Sequence, residues 1–519
     1  MKLVTIRLLC AAATLLNFLA PAVAASERYT VLVSDLHVGA GHASDGTWRR
    51  IEDFRWQTDF DKFLSMIDTS GKSKTDLVFA GDVFELWQSP LMVCSSDISK
   101  PGCEVPDCHE ADTEIGCTEN EAVVRLKYVL DQHKDFVASI KAFASKGSNR
   151  VYFIPGNHDA ALLFDAASKL LLDRVAHPRV FVQTKGYWLS EDGAVYSDHG
   201  HQFDTVNKFS DWPKPFVNKG GTIYLGKPWG ENMVQQFYNQ YEEIFPIIDN
   251  LSDEKAGVKA AIRQVGAAAS TQALGKFFRF FVVQESLAQG LTGLGKTPDN
   301  ANWDYAAIRQ HDTKFFVDVF AQDADLVAKA VQAQQQGLLE FDPSKLSDLE
   351  IAAICGAKQT ALDQTKVAPC ESLNPIMGAG LESLLVSEEW LVQNYLTTVL
   401  QEVQRKGQKV ASVYAFGHTH RAKVPLNVDL PSMPGGTKTV SYVNTGAFQR
   451  LANPEQINSI LKAQSDPKKK LPLSLDPEDL PACYTFVSVE PYADRPTAES
   501  KKWAKNAAGK WSATPGVCL

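Results

Sequence analysis

Tyr29-Thr30-Val31-Leu32-Val33-Ser34-Asp35-Leu36-His37 is an apolar run that stops on an acid and an imidazole two positions apart. A short apolar run bounded by polar residues predicts a buried strand. The same grammar recurs along the chain. Leu77–Ala80 runs into Gly81-Asp82, and Val151–Ile154 is followed by Gly156-Asn157-His158-Asp159. Ala194–Ser197 leads to His199-Gly200-His201, and Ser412–Phe416 to Gly417-His418-Thr419-His420. Val440–Val443 is a sixth strand candidate. Helix-period segments separate the early strands. Trp56, Phe60, Phe63, Leu64 and Ile67 share one face; Val129, His133, Phe136, Val137, Ile140 and Phe143 share another, with His133 as an interfacial residue. Strand–helix alternation predicts an α/β fold with function at the carboxyl ends of the strands.

The 519 residues are enough for two or three domains, or one domain with large insertions. With 45% hydrophobic and 22% charged residues the chain is globular, not disordered or fibrous. The formal net charge of -9 disfavours a nucleic-acid binder, whose affinity rests on cationic contacts to phosphates.

Lys2 and Arg7 precede the apolar stretch Leu8–Leu19, and Ala22-Val23-Ala24 offers a small-residue cleavage site. This order predicts a signal peptide over residues 1–24 and a secreted or periplasmic protein. As a membrane anchor the stretch is short, and it is broken by Asn17 and Pro21; no later run reaches spanning length. Of nine cysteines, Cys10 lies in the leader, and the remaining eight are an even number. Cys94, Cys103, Cys108 and Cys117 crowd one loop (residues 89–120), while Cys355 with Cys370 and Cys483 with Cys518 suggest local pairs. In an oxidising compartment these read as disulfides. The competing reading is zinc on the loop cysteines and His109.

From 205 to 400 the chain changes character. Phe237, Tyr241, Ile244, Phe245 and Ile248 keep helical spacing, Phe315, Val319 and Phe320 begin another face, and Ala/Gln/Leu-rich runs follow. A mainly helical insertion or cap is predicted there, between a first α/β half (25–204) and a second (401–490), with a disulfide-tied tail at 491–519.

The five strand-end clusters, taken in order, resemble the D-x-H, G-D, G-N-H-D/E, H and G-H-x-H pattern of the calcineurin-like metallophosphoesterases. The resemblance implies a four-layer α/β/β/α sandwich and hydrolysis of phosphate esters. It also implies two divalent cations (Mn, Fe or Zn), one held by Asp35, His37, Asp82 and His420 and the other by Asp82, Asn157, His199 and His418. Asp82 would bridge them and damp their repulsion. Mixed carboxylate, amide and imidazole donors without thiolate suit such metals. Two cations about 3.5–4 Å apart can clamp the attacking and leaving oxygens of an in-line displacement. Alternation along Gly417–His420 would put His418 and His420 on one side. Among the branches, the His-Gly element followed by Gly-His-Thr-His-Arg is similar to the UDP-diacylglucosamine hydrolase group, with His201 where that group commonly has an acid.

Beside Asn157, His158 is the candidate general acid for the leaving oxygen, and Asp159 would orient it and raise its pKa. His201, Asp204, Arg421 and Arg450 are candidate substrate contacts; an arginine can grip a phosphate bidentately. The expected substrate is a small phosphorylated molecule carrying a monoester, diester or pyrophosphate. Rival readings are a non-catalytic binding protein on the same fold, which the full ligand complement argues against, and a nucleotide-directed phosphatase or nuclease. A 5′-nucleotidase would need a separate C-terminal substrate domain, for which the roughly 100 residues after His420 leave little room.

Overall fold

The computed structural model describes residues 26–88, 107–110, 112–204, 206–243, 245–251, 396, 400, 410–433, 436–464, 474–506 and 508–519. The leader, Cys94, Cys103, Cys355, Cys370 and the stripe beginning at Phe315 lie outside them.

Every residue of β1 (Tyr29–Val33) and β2 (Thr75–Ala80) is buried, as a parallel sheet covered on both faces requires. These strands, with β4 (Arg150–Ile154) and β5 (Val180–Val182), form the parallel half of a seven-stranded sheet. Its other half is antiparallel: β13 (Cys483–Val489) pairs with β1, then β14 (Ala498–Lys505) and β15 (Trp511–Pro515) follow. The segment read as a tail therefore completes this sheet. A second sheet has five strands in the order β11 (Lys423–Met433), β12 (Gly436–Asn444), β10 (Val413–Phe416), β7 (Val195–Asp198), β6 (Tyr187–Leu189).

The two sheets pack face to face. Leu32, Val78, Ile154 and Val487 of the first share a buried cluster with Val195, Val413, Ala415 and Val443 of the second. On the outer face of the larger sheet lie α1 (Gln57–Ser70), α2 (Glu119–Gln132), α3 (Lys134–Ser145) and α4 (Asp165–Val175). Phe60, Phe63, Phe136, Ile140 and Leu171 bury their stripes there. Leu396 and Leu400, both helical, cover Tyr414 and Phe416 on the outer face of the smaller sheet. Helix, sheet, sheet, helix is the expected α/β sandwich.

Three local readings need correction. The stripe from Val129 to Phe143 belongs to two helices, because His133 breaks the run at φ -112°, ψ 48°. Its Nε2 meets Glu52 at 3.3 Å. The predicted helical region from 205 begins with a hairpin, β8 (Phe216–Lys219) and β9 (Thr222–Gly226), which pairs with β3 (Ile115–Thr118). Helix returns at α5 (Trp229–Met233) and continues through Val234–Tyr238 into Asn239–Glu242. It does not carry Phe245 and Ile248, which are buried in the turns beyond. Pro246 lacks an amide donor and disfavours helix at the preceding residue.

Cys108 is bonded to Cys117 and Cys483 to Cys518. The first bond uses two thiols of the loop and leaves no zinc ligand set with His109 among the described residues; His109 instead lies 3.5 Å from Glu121. The second ties the chain end to the start of β13. Cys518→Ser should lower unfolding stability by about 2–4 kcal/mol, read as a lower urea midpoint. An unchanged midpoint in unreduced protein would show that this bond does not hold the sheet edge.

Candidate metal centre

The strand-end residues converge where the two sheets meet. Asp35 follows β1, Asp82 follows β2, Asn157 follows β4, His199 follows β7, and His418 and His420 follow β10. Backbone amides fasten the two sheet ends together: His418 N donates to the Asp35 carboxylate (Oδ2, 3.1 Å) and Phe448 N to the Ser34 carbonyl (2.9 Å). The motif glycines permit this crowding. A Cβ on Gly81, whose φ is +91°, would lie 2.3 Å from the His199 ring. One on Gly156 would lie 2.2 Å from Asp82 Oδ1.

Asp35, His37, Asp82, His418 and His420 all have positive φ, between 47° and 69°. Left-handed backbone at non-glycine residues costs energy and gathers at functional sites. β10 ends at Phe416, so His418 and His420 do not alternate along a strand as expected. The left-handed turn sends them to different clusters. Asp35, His37 and His420 present donor atoms within 4.8 Å of one another, and Asp82, His199 and His418 do the same. His199 Nε2 links the two, at 2.8 Å from Asp82 Oδ2 and 3.9 Å from Asp35 Oδ1. Asn157 Oδ1 stands 3.0 Å from the same nitrogen.

These donors fit cations. His37 directs Nδ1 to Glu85 (2.8 Å) and His199 directs Nδ1 to the Ala80 carbonyl (2.8 Å), so each turns Nε2 toward the cleft. Such hydrogen bonds fix the tautomer of a metal-binding imidazole. His37 Nε2 and Asp35 Oδ1 are buried with no hydrogen-bond partner, as coordinating atoms are before metal enters. Burial opposes ionisation of Asp82, yet the charges of His199 and His158 hold its pKa well below the usual carboxylate range.

Beside these clusters His158 stacks on Trp87, with centroids 3.9 Å apart, and directs Nδ1 to Glu85 Oε2 at 2.5 Å. Burial works against its charge, but the Glu85 and Asp82 carboxylates prevail and raise its pKa to about 9. Asp159 does not orient it. That carboxylate accepts from the amides of Val83 (2.9 Å), Phe84 (3.2 Å) and Gly156 (2.6 Å), bracing the loops that carry Asp82 and Asn157. Glu85 takes the expected role and was missed in the sequence. Its Oε2 meets both His37 and His158, and its Oε1 accepts from Trp87 N and Gln88 N. An acid set in the apolar run Val83-Phe84-Glu85-Leu86-Trp87, three residues after Asp82, was the available signal.

Residues 29–237 match the family model of the calcineurin-like phosphoesterases. Over this segment the chain is similar to the calcineurin-like phosphoesterases. No curated protein and no solved structure matches the chain significantly. The matched residues include Asp35, His37, Asp82, Asn157 and His199; the fold adds His418 and His420 from beyond them.

The four candidate substrate contacts fare differently in the structure. Asp204 Oδ2 lies 3.0 Å from His418 Nε2 and 2.6 Å from Asn207 Nδ2, so it positions the His418 imidazole. His201 is only 2% exposed and packs against Trp212 at 4.3 Å and His199 at 5.4 Å. Burial, then the charges of His199 and His418, keeps its pKa well below the usual imidazole range, which fits packing and not a phosphate contact. Arg450 is committed elsewhere, to Asp59 (3.0 Å), Tyr484 Oη (2.9 Å) and the Glu478 carbonyl (3.0 Å). Only Arg421 is solvent-exposed, one residue past His420.

Proposed function

We propose that this domain hydrolyses a small phosphate ester or pyrophosphate at a centre for two divalent cations (Mn, Fe or Zn). One belongs to Asp35, His37, Asp82 and His420, the other to Asp82, Asn157, His199 and His418. The adjoining donor clusters, joined through His199 and Asp82, carry this reading. Cations held there supply Lewis acidity and lower the pKa of water near neutral pH.

The chain's own residues do the rest. Asp82 supplies charge common to both clusters. His158, with Nδ1 held by Glu85, offers its Nε2 proton to the leaving oxygen. Its ring is fixed by Trp87, and its side chain keeps 16% exposure toward incoming substrate. Asp204 holds His418, and Asp159 holds the loop amides.

Glu85→Gln should move the alkaline limb of kcat to lower pH. His158 acts in its protonated form, so activity falls as pH rises through its pKa. Removing the Glu85 charge lowers that pKa and brings the fall earlier. A limb that stays in place would show that Glu85 does not set His158.

The disulfides Cys108–Cys117 and Cys483–Cys518, with the leader-like residues 1–24, support action outside the cytoplasm. Among the described residues no helix is long and apolar enough to cross a membrane. The direct test of the reading is hydrolysis of mono-, di- and pyrophosphate esters before and after chelation. Activity lost on chelation and restored by Mn²⁺ is expected; no turnover of any ester by metal-loaded protein would favour a binding protein on the same fold.

A further inference from the structure

A group of acids lies apart from the proposed ligands. Asp53, on the loop before α1, meets Glu242, at the end of the helical stretch from Trp229, and Asp249, in the turn beyond it. One oxygen from each lies within 4.8 Å of the others. Asp53 is 2% exposed and Glu242 0%, and Asp53 Oδ1 and Glu242 Oε1 have no hydrogen-bond partner. Gln88, 4% exposed, ends at the same place: its Nε2 donates to Glu242 Oε2, while its own Oε1 is buried and accepts nothing.

Buried carboxylates without pairing are costly, and chains resolve this by protonation or by a bound cation. Burial first, then the charges of Asp249, Glu52 and Glu85, push Asp53 well above its usual pKa; the opposing Arg55 charge is smaller than each of these. Glu242 is pushed up likewise by burial and then by Asp249, Asp53 and Glu85. The three carboxylates offer oxygen donors only, the Gln88 amide hydrogen-bonds to one of them, and no imidazole or thiolate is among the group. Such a set suits a hard cation, and calcium, at about 2.3–2.6 Å from each oxygen, spans donors about 5 Å apart.

We propose that Asp53, Glu242, Asp249 and the amide oxygen of Gln88 form a binding site for one calcium-sized divalent cation. The site joins the end of the helical stretch to the loop after β2. Gln88 also donates its backbone amide to Glu85 (3.0 Å), so the ion braces the residue that holds His158. The inference does not depend on the phosphoesterase reading.

Calorimetric titration of the full-length protein with CaCl₂, in Mn²⁺ sufficient to fill the catalytic clusters, tests it. One calcium equivalent is expected, with a rise of about 5 °C in Tm at saturating calcium. Asp82→Asn should keep that equivalent, and Asp53→Asn combined with Glu242→Gln should lose it. In EDTA the double variant should melt no lower than wild type, because it has shed buried repulsion. Should the double variant fail to fold, Asp249→Asn serves in its place, with at least about 10-fold weaker calcium binding expected. The proposal is overturned if wild type binds no calcium, or if the Asp53/Glu242 variant binds it as wild type does. Loss of calcium in Asp82→Asn alone would likewise overturn it, placing the ion in the catalytic clusters.

Discussion

Asp82→Asn should bind at most one catalytic cation and lose at least about 10³-fold in kcat. Removal of a single oxyanion-hole donor typically costs about 10²–10³-fold, and here a charge proposed to serve both cations disappears. The fold should survive, because Asp82 Oδ1 accepts from His158 N at 2.8 Å and an amide oxygen can accept the same bond. His199 loses the carboxylate that now lies 2.8 Å from its Nε2, so its cluster suffers most. Mass-spectrometric metal analysis beside circular dichroism checks this. Two catalytic equivalents with normal turnover in Asp82→Asn would remove Asp82 from the bridging position.

The second large effect concerns the leaving group. If His158 protonates the departing oxygen, His158→Ala should cost about 10²–10⁴-fold on an alkyl phosphate ester and far less on a nitrophenyl ester. The alkoxide is too basic to leave unprotonated, whereas nitrophenolate is not. A merely electrostatic grip on the phosphate would weaken both substrates alike, since their non-bridging oxygens are the same. The comparison needs equal metal content and a rate limited by chemistry. Under those conditions, equal losses on the two esters would take His158 out of the acid role.

How much of this was legible in the sequence depended on whether a feature is local. The six strand candidates are strands, because continuous apolar runs ending on polar residues can be read without knowing their neighbours. Their terminal residues meet because parallel strands place their carboxyl ends together. β13, β14 and β15 were not legible. β14 and β15 are only partly buried, β13 is buried but carries Thr485 and Ser488 within its run, and all three gain their place by pairing with β1 and one another. The same limit explains the site. Glu85 carries no strand-end signature, and its role follows only from the meeting of His37 and His158 on one carboxylate oxygen. Arg450 looked free in sequence because Asp59 and Tyr484, which hold it, are 391 and 34 positions away. Asp159 misled for the opposite reason: adjacency to His158 suggested contact, but neighbouring side chains here point to different partners.

Two cations are proposed to sit side by side between Asp35, His37 and His420 on one hand and Asp82, His199 and His418 on the other. Anomalous diffraction from crystals equilibrated with Mn²⁺ measures this directly. Two peaks are expected in the cleft, about 3.5–4 Å apart, with an Asp82 oxygen touching both. A single peak there, or peaks with Asp82 bound to neither, would contradict it.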